Sequence, residues 1–321
     1  MDSFQLGIDV AKHKLDCALR RPDGKYRNKT VSNDAKGFAQ LAEWLVKQGA
    51  VSPHVCMEAT SVYWEDVAVT LANQGMTLSV VNPAQIKAFG ASRLTRSKTD
   101  QIDAQLIAEF CHERCPEPWT APSQSEQRLR AMVLRLDALQ AMHTQESNRL
   151  EVAREVVHDG IAHHLQWLDA SMKDLVKQIR DHIDSDPDLR NKRDLLNTVP
   201  GVGERTITML LAFSLHHERF ANARQVAAYA GLDPRQHESG SSVRGKPRLS
   251  KVGHAFIRKA LYMPAVSTLY RTLWGQKFRE RLLAANKPSM LIIGAMMRKI
   301  LHIAFGVLKS GKPFDSSLQN A

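Results

Sequence analysis

No uninterrupted apolar stretch of about 18 residues occurs in the chain, which argues against a membrane-spanning protein. Nor does Met1-Asp2-Ser3-Phe4 place a basic region ahead of an apolar one, so no secretory leader is read there and a cytoplasmic location is expected. Cysteine is scarce: Cys17, Cys56, Cys111 and Cys115 in 321 residues make no disulfide framework, and all four are expected to be reduced. Cys111, His112 and Cys115 have the look of half a zinc site, but no second ligand pair follows at a suitable spacing, so they are read as a helix end. Acidic residues are nearly missing from one end. From Gly240 onward there are fifteen Lys or Arg against Glu280 and Asp315, whereas the preceding residues carry 29 basic and 31 acidic side chains. The whole net charge of +11 therefore belongs to the C-terminal part, an asymmetry that points to a polyanionic partner such as nucleic acid. With 43% hydrophobic and 24% charged residues the rest is ordinary, and the length suits two domains with a substantial core.

What is present begins with a run of alternating elements. Phe4–Ala11 reads as an apolar strand interrupted by Asp9, a carboxylate that is costly to bury unless paired or metal-bound. Lys14–Arg20 and Tyr26–Ser32 read as two further strands joined by Pro22-Asp23-Gly24-Lys25, giving an antiparallel meander. A helix capped by Asn33, the strand His54–Glu58, a helix over Tyr63–Asn73 and a strand over Thr77–Val81 follow. Asn82-Pro83 reads as a break leading into a loop with the basic residues Arg93, Arg96 and Lys98. Next comes a helix over Ser97–Phe110, with Ile102, Leu106, Ile107 and Phe110 as its apolar stripe and Asp100 and Asp103 one turn apart on one face. The plainer account of these two acids is a capping box begun by Ser97 and closed by Asp100. Their company favours chemistry instead. In an open α/β sheet of this order Asp9 and Glu58 meet at the end of the central strands, and four acids without His or Cys suit Mg²⁺ or Mn²⁺. The order is that of the ribonuclease-H fold, and Asp9, Glu58, Asp100 and Asp103 resemble the Asp-Glu-Asp-Asp set of junction resolvases of the RuvC type.

Pro116–Ser125 is a linker by composition, and long helical periodicity then runs from Glu126 to about Ile183. Two readings stand side by side for it: an intramolecular helical hairpin, and a coiled coil joining protomers. Leu195–Leu211 reads as helix, Pro-Gly-Val-Gly turn, helix, which matches a helix-hairpin-helix with Gly201, Gly203 and Arg205 facing phosphate, or else a tight corner. A helix over Ala223–Ala230 ends at Gly231-Leu232-Asp233-Pro234. The stretch Arg235–Gly253 is rich in Ser and Gly and carries Arg244, Lys246, Arg248 and Lys251; by itself it reads as a flexible phosphate-binding loop. Three apolar helices close the chain, with Arg258 and Lys259 on a polar face.

Taken together, Gly-Ile-Asp-Val, Met-Glu-Ala-Thr and Lys-Thr-Asp-Gln-Ile-Asp-Ala, followed by Pro-Gly-Val-Gly, Tyr-Ala-Gly-Leu-Asp-Pro, Glu-Ser-Gly and Leu-Ser-Lys-Val-Gly, resemble the insertion-sequence transposases of the IS-one-ten type, relatives of the Piv DNA invertases. The resemblance covers nearly the full length. It implies a RuvC-like acid domain over 1–119, linker and coiled-coil helices over 120–186, and a mainly α transposase domain over 187–321 that bears a catalytic serine. It implies a recombinase that cuts and rejoins donor and target double-stranded DNA, with Mg²⁺ (or Mn²⁺) on Asp9, Glu58, Asp100 and Asp103 and with Ser239 of Glu-Ser-Gly joining the DNA phosphate. A bridge RNA encoded by the element, and a dimer or tetramer whose site is composite, are further implications. Ser241 and Ser242 compete with Ser239 on chemistry alone. A junction nuclease using the same acids with water as nucleophile, an actin-like or sugar-kinase ATPase, for which Gly-rich nucleotide loops are missing, and a non-catalytic nucleic-acid-binding protein are the rival classes.

Overall fold

The computed structural model describes residues 4–59, 62–93, 99–213, 220–235 and 248–315, and the backbone of 238–239 and 243–244. It divides into two compact units, Met1–Ala121 and Pro122–Ala321.

The first unit is built on a five-stranded sheet. Strands β1 (Gln5–Val10), β2 (Lys14–Arg20), β3 (Tyr26–Ser32), β4 (His54–Glu58) and β5 (Leu78–Val81) lie in the order β3-β2-β1-β4-β5. β1–β2 and β2–β3 are antiparallel, and β1–β4 and β4–β5 are parallel, the mixed order of the ribonuclease-H fold. The parallel strands are apolar nearly throughout, as burial on both faces demands, with Leu6, Ile8, Val55, Cys56 and Met57 inaccessible to solvent. Helix α1 (Ala35–Lys47) is capped by Asp34, which accepts from the Gly37 amide, and not by Asn33. Asn33 is used elsewhere, donating to the carbonyls of Ala11 and Tyr63. Helix α2 (Glu65–Asn73) precedes β5.

Two features differ from the sequence reading. Asn82-Pro83 does not break the chain into a loop; it starts helix α3 (Pro83–Ser92), with Asn82 accepting from the Ala84 amide and proline at the first helical position, where its missing N–H costs nothing. Helix α4 (Asp100–Arg114) is capped by Thr99, whose hydroxyl accepts from the Ile102 amide, while Ser97 lies outside the described residues. The buried face of α4 is Ala104, Ile107, Ala108, Phe110 and Cys111, rotated from the expected stripe so that Ile102 and Leu106 are half-buried. Small alanines allow this. A Cβ added at Gly7 would fall 2.2 Å from the Ala104 carbonyl oxygen and 2.3 Å from the Ala108 amide, so helix and strand backbones are in direct contact. Cys111 is part of that interior and Cys115 ends the helix in a left-handed conformation, consistent with a helix end. Beyond α4 the chain stays clipped to β5: Ser79 Oγ lies 2.8 and 2.9 Å from the carbonyls of Pro116 and Glu117, and Trp119 meets Trp64 edge-on.

The second unit is helical. A Ser123–Glu126 capping box starts α5 (Gln124–Val152), which pairs with α6 (His158–Ser185) as a hairpin within the chain. Leu129, Val133, Ile179 and Ile183, toward the open end of that hairpin, join the same buried cluster as α7 (Pro187–Asn197), α8 (Glu204–Ala212), α9 (Ala223–Tyr229), α10 (Ala255–Arg271) and α12 (Ser289–Ser310), with α11 (Leu273–Ala284) alongside. α12 is the one helix among the described residues long and apolar enough to cross a membrane, with mean hydropathy 1.7, yet eleven of its residues are buried in this core and Arg298 pairs with Asp233. The Ser/Gly-rich stretch carries two nested antiparallel ladders, β6 (Pro234–Arg235) with β9 (Arg248–Leu249) and β7 (Glu238–Ser239) with β8 (Val243–Arg244).

The contact at Gly7 generates a prediction. Gly7→Ala should cost about 2–3 kcal/mol, because the methyl must push α4 off β1, and should lower the melting temperature of the first unit by several degrees. An unchanged melt would show that helix and strand do not touch.

Candidate active site

Three elements bring the four acids toward one place. Asp9 follows Ile8, and Glu58 follows Met57, the last paired residues of the parallel β1–β4 ladder, so both lie at the carboxyl ends of these neighbouring strands. Asp100 and Asp103 belong to the first turn of α4. Counting three and four residues onward from them leads to Ala104, Ile107, Ala108 and Cys111, the face that α4 presses on the sheet, so both acids head the sheet-facing side. Electrostatics agrees. Half-burial pushes the Asp9 carboxyl up from its ordinary 3.8 to about 6, helped in turn by repulsion from Glu58, Asp103, Asp100 and Asp16.

Sequence reasoning missed two members of this group. Asp16 on β2 stands opposite Asp9 in the ladder and is buried, and Lys14 bridges Asp16 and Asp100 at 2.9 and 2.5 Å. The one sequence signal was an acid and a lysine at alternate positions of a strand, which by itself is ordinary. Among the described residues no three His, Cys, Asp or Glu side chains are gathered closely enough to hold an ion, and Lys14 occupies Asp100. The donors nevertheless fit a hard divalent cation: all are carboxylate oxygens, and a cation offsets both the burial that chiefly raises Asp9 and the neighbouring negative charge that adds to it.

The basic and serine-bearing candidates fall differently. Arg93 at the end of α3 pairs with Glu109 and Glu113 of α4, while Arg96, Lys98 and Lys246 lie outside the described residues. Gly201, at φ +91°, is filled on its open side by Thr268 of α10, 2.1 Å from where a Cβ would sit, whereas a Cβ at Gly203 would meet nothing within 4 Å. Arg205 and Lys259 both reach Asp137 of α5, Lys259 at 2.8 Å. These residues line a groove of about 1660 Å³ between α5, α6, α8 and α10. Arg258 is spent inside the unit on the carbonyls of Ala230 and Gly253. Arg248 and Lys251 are exposed beside the paired strands. The backbone of Ser239 pairs with that of Val243, and Glu238 with Arg244, across the positions of Gly240, Ser241 and Ser242, which lie outside the described residues.

The two halves of the chain match known families separately. The DEDD_Tnp_IS110 family model, described as Transposase, matches residues 6–153, and the model described as Transposase IS116/IS110/IS902 family matches residues 193–281. Over 99% of its length the chain is 33% identical to the pilin gene-inverting protein of Moraxella bovis and, equally, to that of Moraxella lacunata, covering 99% of each. Among solved structures, T. thermophilus RuvC in complex with a Holliday junction substrate covers 36% of this chain and 99% of its own, at 15% identity and a TM-score of 0.27. A ribonuclease-H sheet bearing acids at its edge, joined to a transposase-type helical unit, defines an enzyme of DNA recombination, a transposase or recombinase. The chain belongs to the IS110 transposase family.

The raised Asp9 carboxyl has a measurable consequence. The folded state keeps its proton up to pH about 6 and the unfolded chain only to about 3.8, so this group's contribution to stability falls as pH rises between those values and stays low above them. In chelator, Asp9→Asn should therefore melt above the wild type at pH 7.5, by on the order of 2–4 °C after allowance for solvent screening. That gap should close toward pH 4, and a gap independent of pH would exclude the raised Asp9 carboxyl.

Proposed function

We propose that this recombinase cuts and rejoins DNA with two sets of groups: Asp9, Glu58, Asp100 and Asp103 as the holders of Mg²⁺ or Mn²⁺, and Ser239 as the nucleophile that carries the DNA. The observation that carries the reading is the convergence of acids from β1, β4 and α4 on Asp9, whose carboxyl is raised first by burial and further by the charges of Glu58, Asp103 and Asp100. Bound there, a divalent cation supplies Lewis-acid activation of a phosphodiester and stabilises the leaving oxygen. Asp9 is fixed by its pairing with Asp16 of β2, Glu58 by its pairing with Val81 of β5, and Asp100 and Asp103 by the contact of α4 with Gly7, so the ligands come from a rigid frame. In the serine step the Oγ–P bond forms as the serine hydroxyl gives up its proton and the bond from phosphorus to the leaving sugar oxygen breaks, and that oxygen takes up a proton. Attack by the hydroxyl of another strand then reverses the step, frees the serine and needs no external energy source.

Several finer features belong to the same reading. The chain works as an acid domain (1–119), joining helices (120–186) and a serine-bearing domain (187–321); α7, the Val199–Gly203 turn and α8 act as a helix-hairpin-helix on phosphate; α5 and α6 serve as a coiled coil in a dimer or tetramer. A bridge RNA of the element pairs with donor and target DNA, and the enzyme acts in the cytoplasm at the nucleoid. Support for the polyanion side is the C-terminal basic excess, with Arg248 of β9 and Lys251 just beyond it both exposed.

Asp9→Ala and Asp103→Ala should abolish strand cleavage while leaving a cooperative melt, and chelation should do the same. Ser239→Ala should eliminate the protein–DNA adduct that survives denaturation. Cleavage at full rate in chelator would remove the acid reading, an adduct mapped to Ser241 would move the nucleophile, and active protein with no adduct at all would favour attack by water. A second measurement concerns salt. Truncation before Gly240 would delete α10–α12 and with them the core, so charge must be removed singly: Arg248→Ala with Lys251→Ala should lower the slope of log affinity against log salt by about 1–2 on duplex DNA. An unchanged slope would make these two residues bystanders.

A further inference from the structure

The structure adds a fifth carboxylate and a cation to the face of the sheet that carries the four acids. Asp16 is opposite Asp9 in the β1–β2 ladder and is buried, a placement that is costly for an unpartnered carboxylate. It has two partners. Thr30 of β3 donates its hydroxyl to Asp16 Oδ1 at 2.6 Å, and the Lys14 ammonium stands 2.9 Å from Oδ2. Lys14 is two residues from Asp16 on the same strand, so its side chain leaves from the same face. Its ammonium also donates to Asp100 Oδ2 at 2.5 Å, in the first turn of α4. A continuous chain of contacts therefore runs from Thr30 on the outer strand, through Asp16 and Lys14, to the helix that presents Asp100 and Asp103.

The two ends of Lys14's bridge are unequal. The Asp16 side chain is 7% exposed and held by a second hydrogen bond, whereas the Asp100 side chain is 56% exposed. An ion pair open to water is weak because solvent competes for both partners, so the contact with Asp100 is the one that yields first.

We propose that Lys14 is a positioning residue of the acid site: in the metal-free protein it holds Asp100, a divalent cation must take Asp100 from it, and Asp16 retains the displaced ammonium at the edge of the site. This rests on the reading of Asp9, Glu58, Asp100 and Asp103 as the metal-holding acids. The exchange is of one cation for another on the same carboxylate. An ammonium has three donors, so the one released from Asp100 keeps its bond to Asp16 and has donors to offer an anionic DNA phosphate. Metal uptake and phosphate contact are thereby coupled through a single side chain.

The test is a titration of the full-length, DNA-free protein with Mn²⁺, read by electron paramagnetic resonance of the free ion. Lys14→Met should bind Mn²⁺ about three- to tenfold more tightly than the wild type, the range expected when a solvent-exposed competing cation is removed. Lys14→Arg, which restores the competing cation, should stay near the wild type. In an Asp100→Asn background the gain from Lys14→Met should vanish, because the competition acts through that carboxylate. A gain of the same size in that background would reduce Lys14 to a distant repulsive charge and overturn the proposal. Wild-type binding that Lys14→Met leaves unchanged or weakens would overturn it as well, with the acid site itself intact. A wild type that takes up no Mn²⁺ would bring down the reading of the acids and this proposal together.

Discussion

The contact between the α4 backbone and Gly7 is the constraint on which the rest of the first unit depends. Two acids sit on strands and two on a helix, and they face one another only because Ala104 and Ala108 let that helix lie directly on β1. A residue with a side chain at position 7, or a larger one at 104 or 108, would lift the helix and carry Asp100 and Asp103 away from Asp9. The same contact explains why Ala104 and Ala108 join Ile107, Phe110 and Cys111 on the buried face of α4, while Ile102 and Leu106 are only half-buried.

Much of this architecture is legible in the sequence because it is encoded locally. The limits of β2 and β3 are set by the Pro22-Asp23-Gly24-Lys25 turn between them and those of β4 by the short apolar run Val55-Cys56-Met57, and the order of elements fixes where Asp9 and Glu58 lie. α3 was hidden because proline ends helices and also begins them, and only the partner chemistry of Asn82 tells which. The true face of α4 was hidden because burial there is set by the absence of a side chain on another element. Asp16 and Lys14 were hidden for a related reason: the contact that gives Lys14 a role spans 86 positions, and no periodicity reports it.

The serine segment shows the opposite case. Its composition reads as a loop, and the pairing of Glu238 with Arg244 and of Pro234 with Leu249 makes nested two-residue ladders, too short for any pattern of hydrophobicity to announce. Basic residues likewise separate only in three dimensions. Arg258 is consumed by carbonyls at the end of α9 and Lys259 by Asp137, whereas Arg248 and Lys251 keep their charge in solvent. A count of positive charge overstates what is on offer to a nucleic acid.

The core of the second unit ties Leu129 and Val133, near its start, to Ile300, Leu301 and Phe305 in α12. Chains are made from the N-terminus, and contacts between such distant segments wait for the later one to be synthesised. The acid unit ends at Ala121 and has all of its strands by then, so it can fold while the ribosome is still at work. The apolar faces of α5 and α6 cover one another in part and pack further on α7 and α8, whose own partners in α10 and α12 are made later. During translation the enzyme thus exists first as a folded half that carries the acids, while the half that carries the serine is the one that needs protection from aggregation.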